Sequence, residues 1–418
     1  MTELQEGQNP ASDDSKAGEG VAPKALDAVK GVPGQSLANK LDSVSLAAAS
    51  TNLITEPAPL VNSPVLIIGA GLLGASIGLA LTRSGVQVWL EDSSPTGLEL
   101  ACDLGAGQPL SAQPAPAPAL VVVATPPDVA GDVVVHALRN YPGAVVTDVA
   151  SVKEPIAKRV LECVPNLAQR YVGSHPMAGR ERSGAASARA DLFDARPWVL
   201  VATPATSPNA LSAVRQLAID LGALPTQLGA AEHDRAVALI SHTPQLVASA
   251  LAARLEQAPE VALNLAGQGL RDTTRIAASD PRLWAAILNA NRSSVAQVLR
   301  ELRVDIDALI EALEQGRASV GTVVDVMQRG NLGRDRIPGK HGGAPSRYAE
   351  VMVLIPDAPG QLARLFNDVG AAQVNIEDLV IEHSAGQRQG LATLLVAPAA
   401  AVGLRQALEQ QGWKIVAN

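Results

Sequence analysis

Gly69-Ala70-Gly71-Leu72-Leu73-Gly74 is the segment of this chain whose residue types and spacing say most about chemistry. In a strand–turn–helix context, the first glycine permits a tight turn, the second lets the backbone approach a pyrophosphate, and the third lets helix and strand pack closely. Leu72 and Leu73 then open a helix whose free N–H groups face an anion. A second strand ends at Asp92, 18 residues beyond Gly74, near the spacing expected of a carboxylate that binds ribose hydroxyls. Ser93 and Ser94 follow it rather than Arg or Lys, so a 2′-phosphate meets repulsion and NAD is expected over NADP. Thr125, just after the strand Leu120–Ala124, is expected to join the same contact set. The competing reading is a glycine turn in an ordinary α/β domain. Further on, His175 follows a short strand in Ser174-His175-Pro176-Met177-Ala178-Gly179 and falls at the carboxyl edge of a sheet. An imidazole there has a pKa suited to a general base, although a histidine satisfied by local backbone is the alternative.

The elements that must position these residues can be read from periodicity. Residues 1–63 are rich in Ala, Ser, Asp, Gly and Pro and contain no aromatic residue. Such a segment buries too little to offset its ordering entropy and reads as disordered. From Pro64, apolar runs at Val65–Ile68, Val86–Leu90, Leu120–Ala124, Ala144–Asp148, Tyr171–Gly173 and Trp198–Ala202 alternate with helical stretches. This pattern predicts an α/β domain over 64–204, with a parallel sheet covered on both faces. Helices are expected at 208–221, 230–256, 260–278, 280–315 and 317–329, forming an all-α domain over 205–329. Asp280-Pro281 is a strong helix start. So much apolar helix implies a face buried against a second copy, hence a homodimer. A Gly- and Pro-rich linker over 330–347 leads to a last unit, 348–418, in the order βαββαβ of a ferredoxin-like module.

Composition narrows the classes. In 418 residues, 47% are hydrophobic and 18% charged, enough core material for two or three domains. A net charge of −8 argues against nucleic acid as a standing partner. Cys102 and Cys163 lack both a disulfide framework and metal-ligand spacing, so no metal site is expected and a reducing compartment fits. Val65–Leu81 is apolar enough to resemble a membrane span, but its four glycines match the nucleotide loop instead. No secretion or transit signal is evident, which makes the cytoplasm the expected location.

Several motifs recur in order: Gly69–Gly74, Thr147-Asp148-Val149-Ala150-Ser151-Val152-Lys153, Gly173–Gly179, His233-Asp234, Ser241-His242 and Arg271-Asp272-Thr273-Thr274-Arg275-Ile276-Ala277, followed by Asp280-Pro281 and Trp284. Together they resemble the prephenate dehydrogenase family over residues 64–329. Pro356–Leu362 with Val374-Asn375-Ile376 is similar to an ACT domain, a module that commonly binds amino acids. The resemblance implies NAD-dependent oxidation and decarboxylation of prephenate to 4-hydroxyphenylpyruvate, in tyrosine biosynthesis. It implies His175 as the group that takes or polarises the hydroxyl proton. Ser151 would hydrogen-bond His175 or the hydroxyl and also line the cofactor crevice. Arg275 would clamp a substrate carboxylate, and His242 would line the substrate site, with a packed core histidine nearly as good a reading. Arg271 and Asp272 are expected as an orienting ion pair or as surface residues, Glu181 at the site mouth or as a solvated loop acid, and Lys153 near the crevice, contacting phosphate or capping the sheet edge. In the ACT-like tail, Asp357, Gly360, Asn375 and Ile376 are expected to hold an effector, with tyrosine the candidate. Arogenate dehydrogenase is the nearest rival. Hydroxyacid dehydrogenases share the architecture but rely on a lysine that the helix 230–256 lacks. A non-catalytic NAD-binding amino-acid sensor is the reading outside enzymes.

Overall fold

The computed structural model describes residues 58–110, 117–179, 184–316, 320–338, 348–383 and 389–416. Most of the stretch expected to be disordered, and Glu181, lie outside these. Residues 58–63 do not fit that expectation. Val61 is buried, and the N–H groups of Leu60 and Val61 donate to the two carboxylate oxygens of Asp220.

The first part of the chain alternates strand and helix. Its elements are β1 (Val65–Ile68), α1 (Leu72–Arg83), β2 (Val88–Glu91), α2 (Pro95–Asp103), β3 (Gln108–Pro109), β4 (Leu120–Val123), α3 (Pro127–Asn140), β5 (Val145–Asp148), α4 (Glu154–Cys163), β6 (Tyr171–Pro176), β7 (Pro197–Val201), α5 (Pro208–Asp220) and β8 (Leu224–Gln227). The eight strands form one sheet in the order β3-β2-β1-β4-β5-β6-β7-β8. Successive residues of β1 serve opposite faces, as strand geometry requires. Val65 and Ile67 join one apolar cluster with Leu81 and Leu217, while Leu66 joins another with Val134 and Ile156. Both faces are thus covered, as expected. Two features differ from expectation. β7 runs antiparallel to β6, so the sheet is mixed, and β8, which begins 20 residues past the expected boundary at 204, extends it. β8 is short and mostly exposed, so it lacks the continuous apolar run that marks a buried strand.

The helical block comprises α6 (Ala230–Val237), α7 (Thr243–Ala253), α8 (Glu260–Leu263), α9 (Gln268–Thr274), α10 (Pro281–Ala290), α11 (Arg292–Gln315) and α12 (Val320–Arg334). Its long expected helices are interrupted, each for a local reason. α6 and α7 are joined through a π turn, Ala238–His242. Pro244 lacks an N–H and its ring crowds the carbonyl four residues back, so the regular ladder cannot pass. Gly267 and Gly269 weaken the stretch expected at 260–278, and α9 begins just after Gly267, its N-cap. The helix expected over 280–315 breaks at Asn291, with φ −109° and ψ 25°. α12 runs to Arg334, into the segment expected as linker. Ala230–Ala253 is long and apolar enough to cross a membrane. Its buried side, however, carries His233, Asp234, His242 and Gln245, which suits a helix packed on a polar site.

Residues 349–416 form β9 (Ala349–Pro356), α13 (Gln361–Ala371), β10 (Asp378–His383), β11 (Gln389–Val396), α14 (Pro398–Gln410) and β12 (Lys414–Val416). The sheet order is β10-β11-β9-β12, with every neighbour pair antiparallel. β9 and β11 alternate buried and half-buried residues, and the buried set packs on Leu365, Val369, Leu404 and Leu408 of the helices.

Candidate active site

Chain order places β1 between β2 and β4, so connections leave it in opposite directions and open a crevice at the carboxyl ends of β1 and β4. The glycines of the loop after β1 divide the work there. Gly69 has φ +105°, and a Cβ on it would lie 2.5 Å from the Ala124 carbonyl oxygen; a Cβ on Gly74 would lie 1.9 Å from the Gly69 oxygen. A Cβ on Gly71 would meet nothing within 4 Å, so this residue faces open space. α1 starts at Leu72 with no side-chain cap, which leaves its first N–H groups, including those of Leu73 and Gly74, directed at that space. Asp92 accepts from Ala70 N at 2.6 Å and Ser94 N at 2.7 Å, and retains lone pairs for ribose hydroxyls. The Thr125 hydroxyl is buried without a partner among the described residues. An anion-binding helix end, a free carboxylate face and an orphaned hydroxyl around one crevice fit a dinucleotide.

β1, β4, β5 and β6 are parallel, so His175 at the end of β6 emerges at the same sheet edge as the glycine loop. Beneath it lies a buried polar cluster. Asp148 forms an ion pair with Lys153 Nζ and accepts from Tyr171 Oη at 2.8 Å and Ala150 N at 3.1 Å. Lys153 also donates to the Ser174 carbonyl at 2.7 Å. Lys153 is fully buried, so it neither touches phosphate nor caps the sheet edge; it ties β5 to β6. Burial pulls its pKa down, and Asp148 opposes that pull. Tyr171 is held well above the ordinary phenol range by burial, then by Asp148.

His175 is half-buried, and its Nδ1 lies 2.8 Å from His233 Nε2. His233 Nδ1 in turn lies 2.7 Å from Asp234 Oδ1. Asp234 accepts the N–H groups of Lys153 and Glu154 at 2.8 and 2.9 Å, capping α4 from another element. Burial, reinforced by His233, Lys153 and His242, pushes the His175 pKa well below that of a free imidazole. His242 is buried, and desolvation pushes its pKa down to about 4. Its Nδ1 lies 3.1 Å from Asn291 Nδ2, and its ring stands edge-on to Trp284 with centroids 6.1 Å apart. Asn291 Nδ2 also donates to the Asp234 carbonyl, so the break after α10 supplies a side chain that joins α6 to the π turn.

The structure therefore brings His175 and His242 together, along with two residues not assigned a role above, His233 and Asn291. The adjacency His233-Asp234 was visible, but its partner is 58 residues away in sequence and only the fold supplies it. Ser151 is half-buried on the β5–α4 loop and makes no hydrogen bond to His175 among the described residues. Arg275 is exposed on the 3-10 turn Arg275–Ala277, which packs on α7. Among the described residues the expected Arg271–Asp272 ion pair is not seen. Adjacent residues of α9 diverge around the helix, and Asp272 instead accepts from Gln268 Nε2, four residues back, at 2.7 Å.

A mixed doubly wound sheet with a glycine phosphate loop, joined to helices that close over a histidine at the sheet edge, defines an NAD-dependent dehydrogenase. Residues 77–225 match the family described as prephenate dehydrogenase, nucleotide-binding domain, and residues 229–329 match prephenate dehydrogenase, dimerization domain. A probable prephenate dehydrogenase of Streptomyces niveus is 36% identical over 357 residues, covering 83% of this chain and 98% of the relative. The chain belongs to the prephenate dehydrogenase family. Among solved structures, Aquifex aeolicus prephenate dehydrogenase in complex with hydroxyphenyl propionate and NAD+ superposes with a TM-score of 0.57 at 28% identity, covering 65% of this chain and 99% of that one. Synechocystis arogenate dehydrogenase gives 0.53 at 30% identity, with the same coverage of both chains.

Proposed function

We propose that the chain oxidises and decarboxylates prephenate to 4-hydroxyphenylpyruvate with NAD. The observation that carries this reading is the His175 imidazole at the edge of the nucleotide crevice, its Nδ1 held 2.8 Å from His233 Nε2 and its charged form disfavoured by burial. The bound nicotinamide supplies the hydride acceptor. His175 takes the ring hydroxyl proton, and loss of CO2 follows because it makes the ring aromatic. His242 is neutral at pH 7. The amide that reaches its Nδ1 also donates to the Asp234 carbonyl, so it is the NH2 group; Nδ1 is the acceptor and the hydrogen sits on Nε2. That N–H can meet a substrate oxygen without adding charge. Arg275 is the proposed carboxylate clamp, for which a bidentate guanidinium is suited. Ser151 would bond the hydroxyl rather than His175. The test is NADH formation at 340 nm with prephenate, arogenate and neither. Faster turnover of arogenate would replace the substrate, and no turnover of either would refute the reading.

The tail is proposed to be an ACT domain that binds tyrosine and lowers activity. A cavity of about 410 Å³ is lined by Asp357, Gly360, Leu362 and Ile381, among others. Apolar walls suit the ring, Asp357 suits the amine, and the N-terminus of α13 suits the carboxylate. Asn375 and Ile376 are not in this lining. Asn375 is exposed, precedes β10 instead of starting it, and donates to Glu377 at 2.8 Å. Tyrosine inhibition that persists unchanged in Asp357→Ala, and is competitive with prephenate, would move tyrosine to the active site. The helical block is proposed to pair with a second copy.

A further inference from the structure

His233 is a buried polar group that the reaction above leaves unused. It is fully buried, and both of its ring nitrogens are occupied. The donors can be assigned from the carboxylate outward. Asp234 already accepts two backbone N–H groups, one on each oxygen, so it has no hydrogen to offer and His233 Nδ1 must donate to it. A neutral imidazole with hydrogen on Nδ1 carries a bare lone pair on Nε2. His175 Nδ1, 2.8 Å away, therefore donates into that lone pair. This leaves Nε2 as the unprotonated nitrogen of His175.

We propose that His233, backed by Asp234, is a positioning residue that holds His175 in the Nδ1–H tautomer and accepts that proton as the substrate's hydroxyl proton arrives on Nε2. In the step, the substrate O–H bond breaks and an Nε2–H bond forms on His175. The Nδ1–H bond of His175 breaks, and an N–H bond forms on His233 Nε2. The carbinol C–H bond breaks with both electrons leaving on the hydrogen, as a hydride that a nicotinamide held in the crevice would accept. The positive charge ends on His233, beside Asp234, instead of on His175, which faces Lys153 and His242 as well as His233. Burial, then the neighbouring His233, Lys153 and His242, disfavour a second proton on His175, which supports its passing on the first.

This rests on His175 being the base, so the test first reads the ring without turnover. The chain contains six histidines, which makes 15N-histidine labelling of the full-length protein tractable. Long-range 1H–15N correlation at pH 7.5, assigned with His175→Asn, should show His175 protonated on Nδ1 and neutral. In His233→Leu that single tautomer should give way to a mixture. His233→Leu should lose about 10²-fold or more in kcat with the KM for NAD unchanged. His233→Gln, whose amide oxygen can accept the Nδ1 hydrogen but cannot hold a proton, should keep the tautomer and recover only part of kcat. Wild-type His175 carrying its hydrogen on Nε2 would overturn the proposal, as would a folded His233→Leu with kcat within about threefold of wild type. An active His175→Asn would sink the base assignment and this proposal together. An inactive His175→Asn beside an unaffected His233→Leu would sink this proposal alone.

Discussion

His175 sits where its charged form is disfavoured, and two consequences follow. A base whose pKa is lowered below 6.5 is already unprotonated at neutral pH, so activity is lost only as pH falls through the depressed value. The acid limb of kcat/KM should therefore lie below pH 6.5; a limb at or above 7 would show that another group titrates. Replacing His175 by Asn should lower kcat by roughly 10²–10⁴ while NAD binding, read by fluorescence quenching, persists. Lys153 makes a different kind of prediction. Lys153→Met removes one partner of a fully buried pair and strands Asp148, at a cost of about 3–5 kcal/mol visible as a lowered Tm. His175 and the glycine loop were legible in sequence because each announces itself within a few residues. The burial of Lys153 and the pairing of His175 with His233 were not, because both depend on contacts between distant segments.

At the scale of elements, the β1–α1 turn separates two effects that one glycine motif conflates. Gly74→Ala places a methyl group against the Gly69 carbonyl, so it should disturb the turn and lower stability. Gly71→Ala meets no protein atom and should fold normally, yet intrude on the pyrophosphate and raise the Kd for NAD. Equal Tm loss in both variants would contradict this division. The strands of the sheet were legible because parallel strands between helices are continuous apolar runs. β8 escaped notice because Leu224–Gln227 is mostly exposed, and the direction of β7 leaves no mark in composition. Helix breaks were partly legible after the fact: Pro244 and Gly267 are local signals that lost to the apolar period around them.

The whole molecule carries its exposed apolar surface unevenly. Val304, Leu313, Met327 and Leu332 on α11 and α12 are each more than 60% exposed. Apolar side chains in such number on one helical pair mark a surface made for a partner. Leu313→Asp should shift a dimer toward monomer in light scattering, without loss of helical signal in circular dichroism. An unchanged mass would place the contact elsewhere. The tail needs no such partner for its own core, since β9, β11, α13 and α14 already enclose one around Trp413.

The π turn before His242 sets the rotational phase of everything after it. Regular winding advances about 100° per residue, so eight steps from Asp234 would leave His242 about 80° away around the helix. One surplus residue absorbed in a widened turn reduces this to seven effective steps, about 20° short of two full turns. Asp234 and His242 thereby reach the same side, where Asn291 meets both. The register of the site thus depends on a single inserted position in this stretch. Deleting Leu239, which is 60% exposed and touches no part of the site's hydrogen-bond chain, should remove the surplus residue of the wide turn and leave the protein folded. Seven regular steps then separate Asp234 from His242, so the ring should stay in phase and turnover should persist, whereas an alanine inserted after Leu239 swings His242 by about 100° and should abolish it.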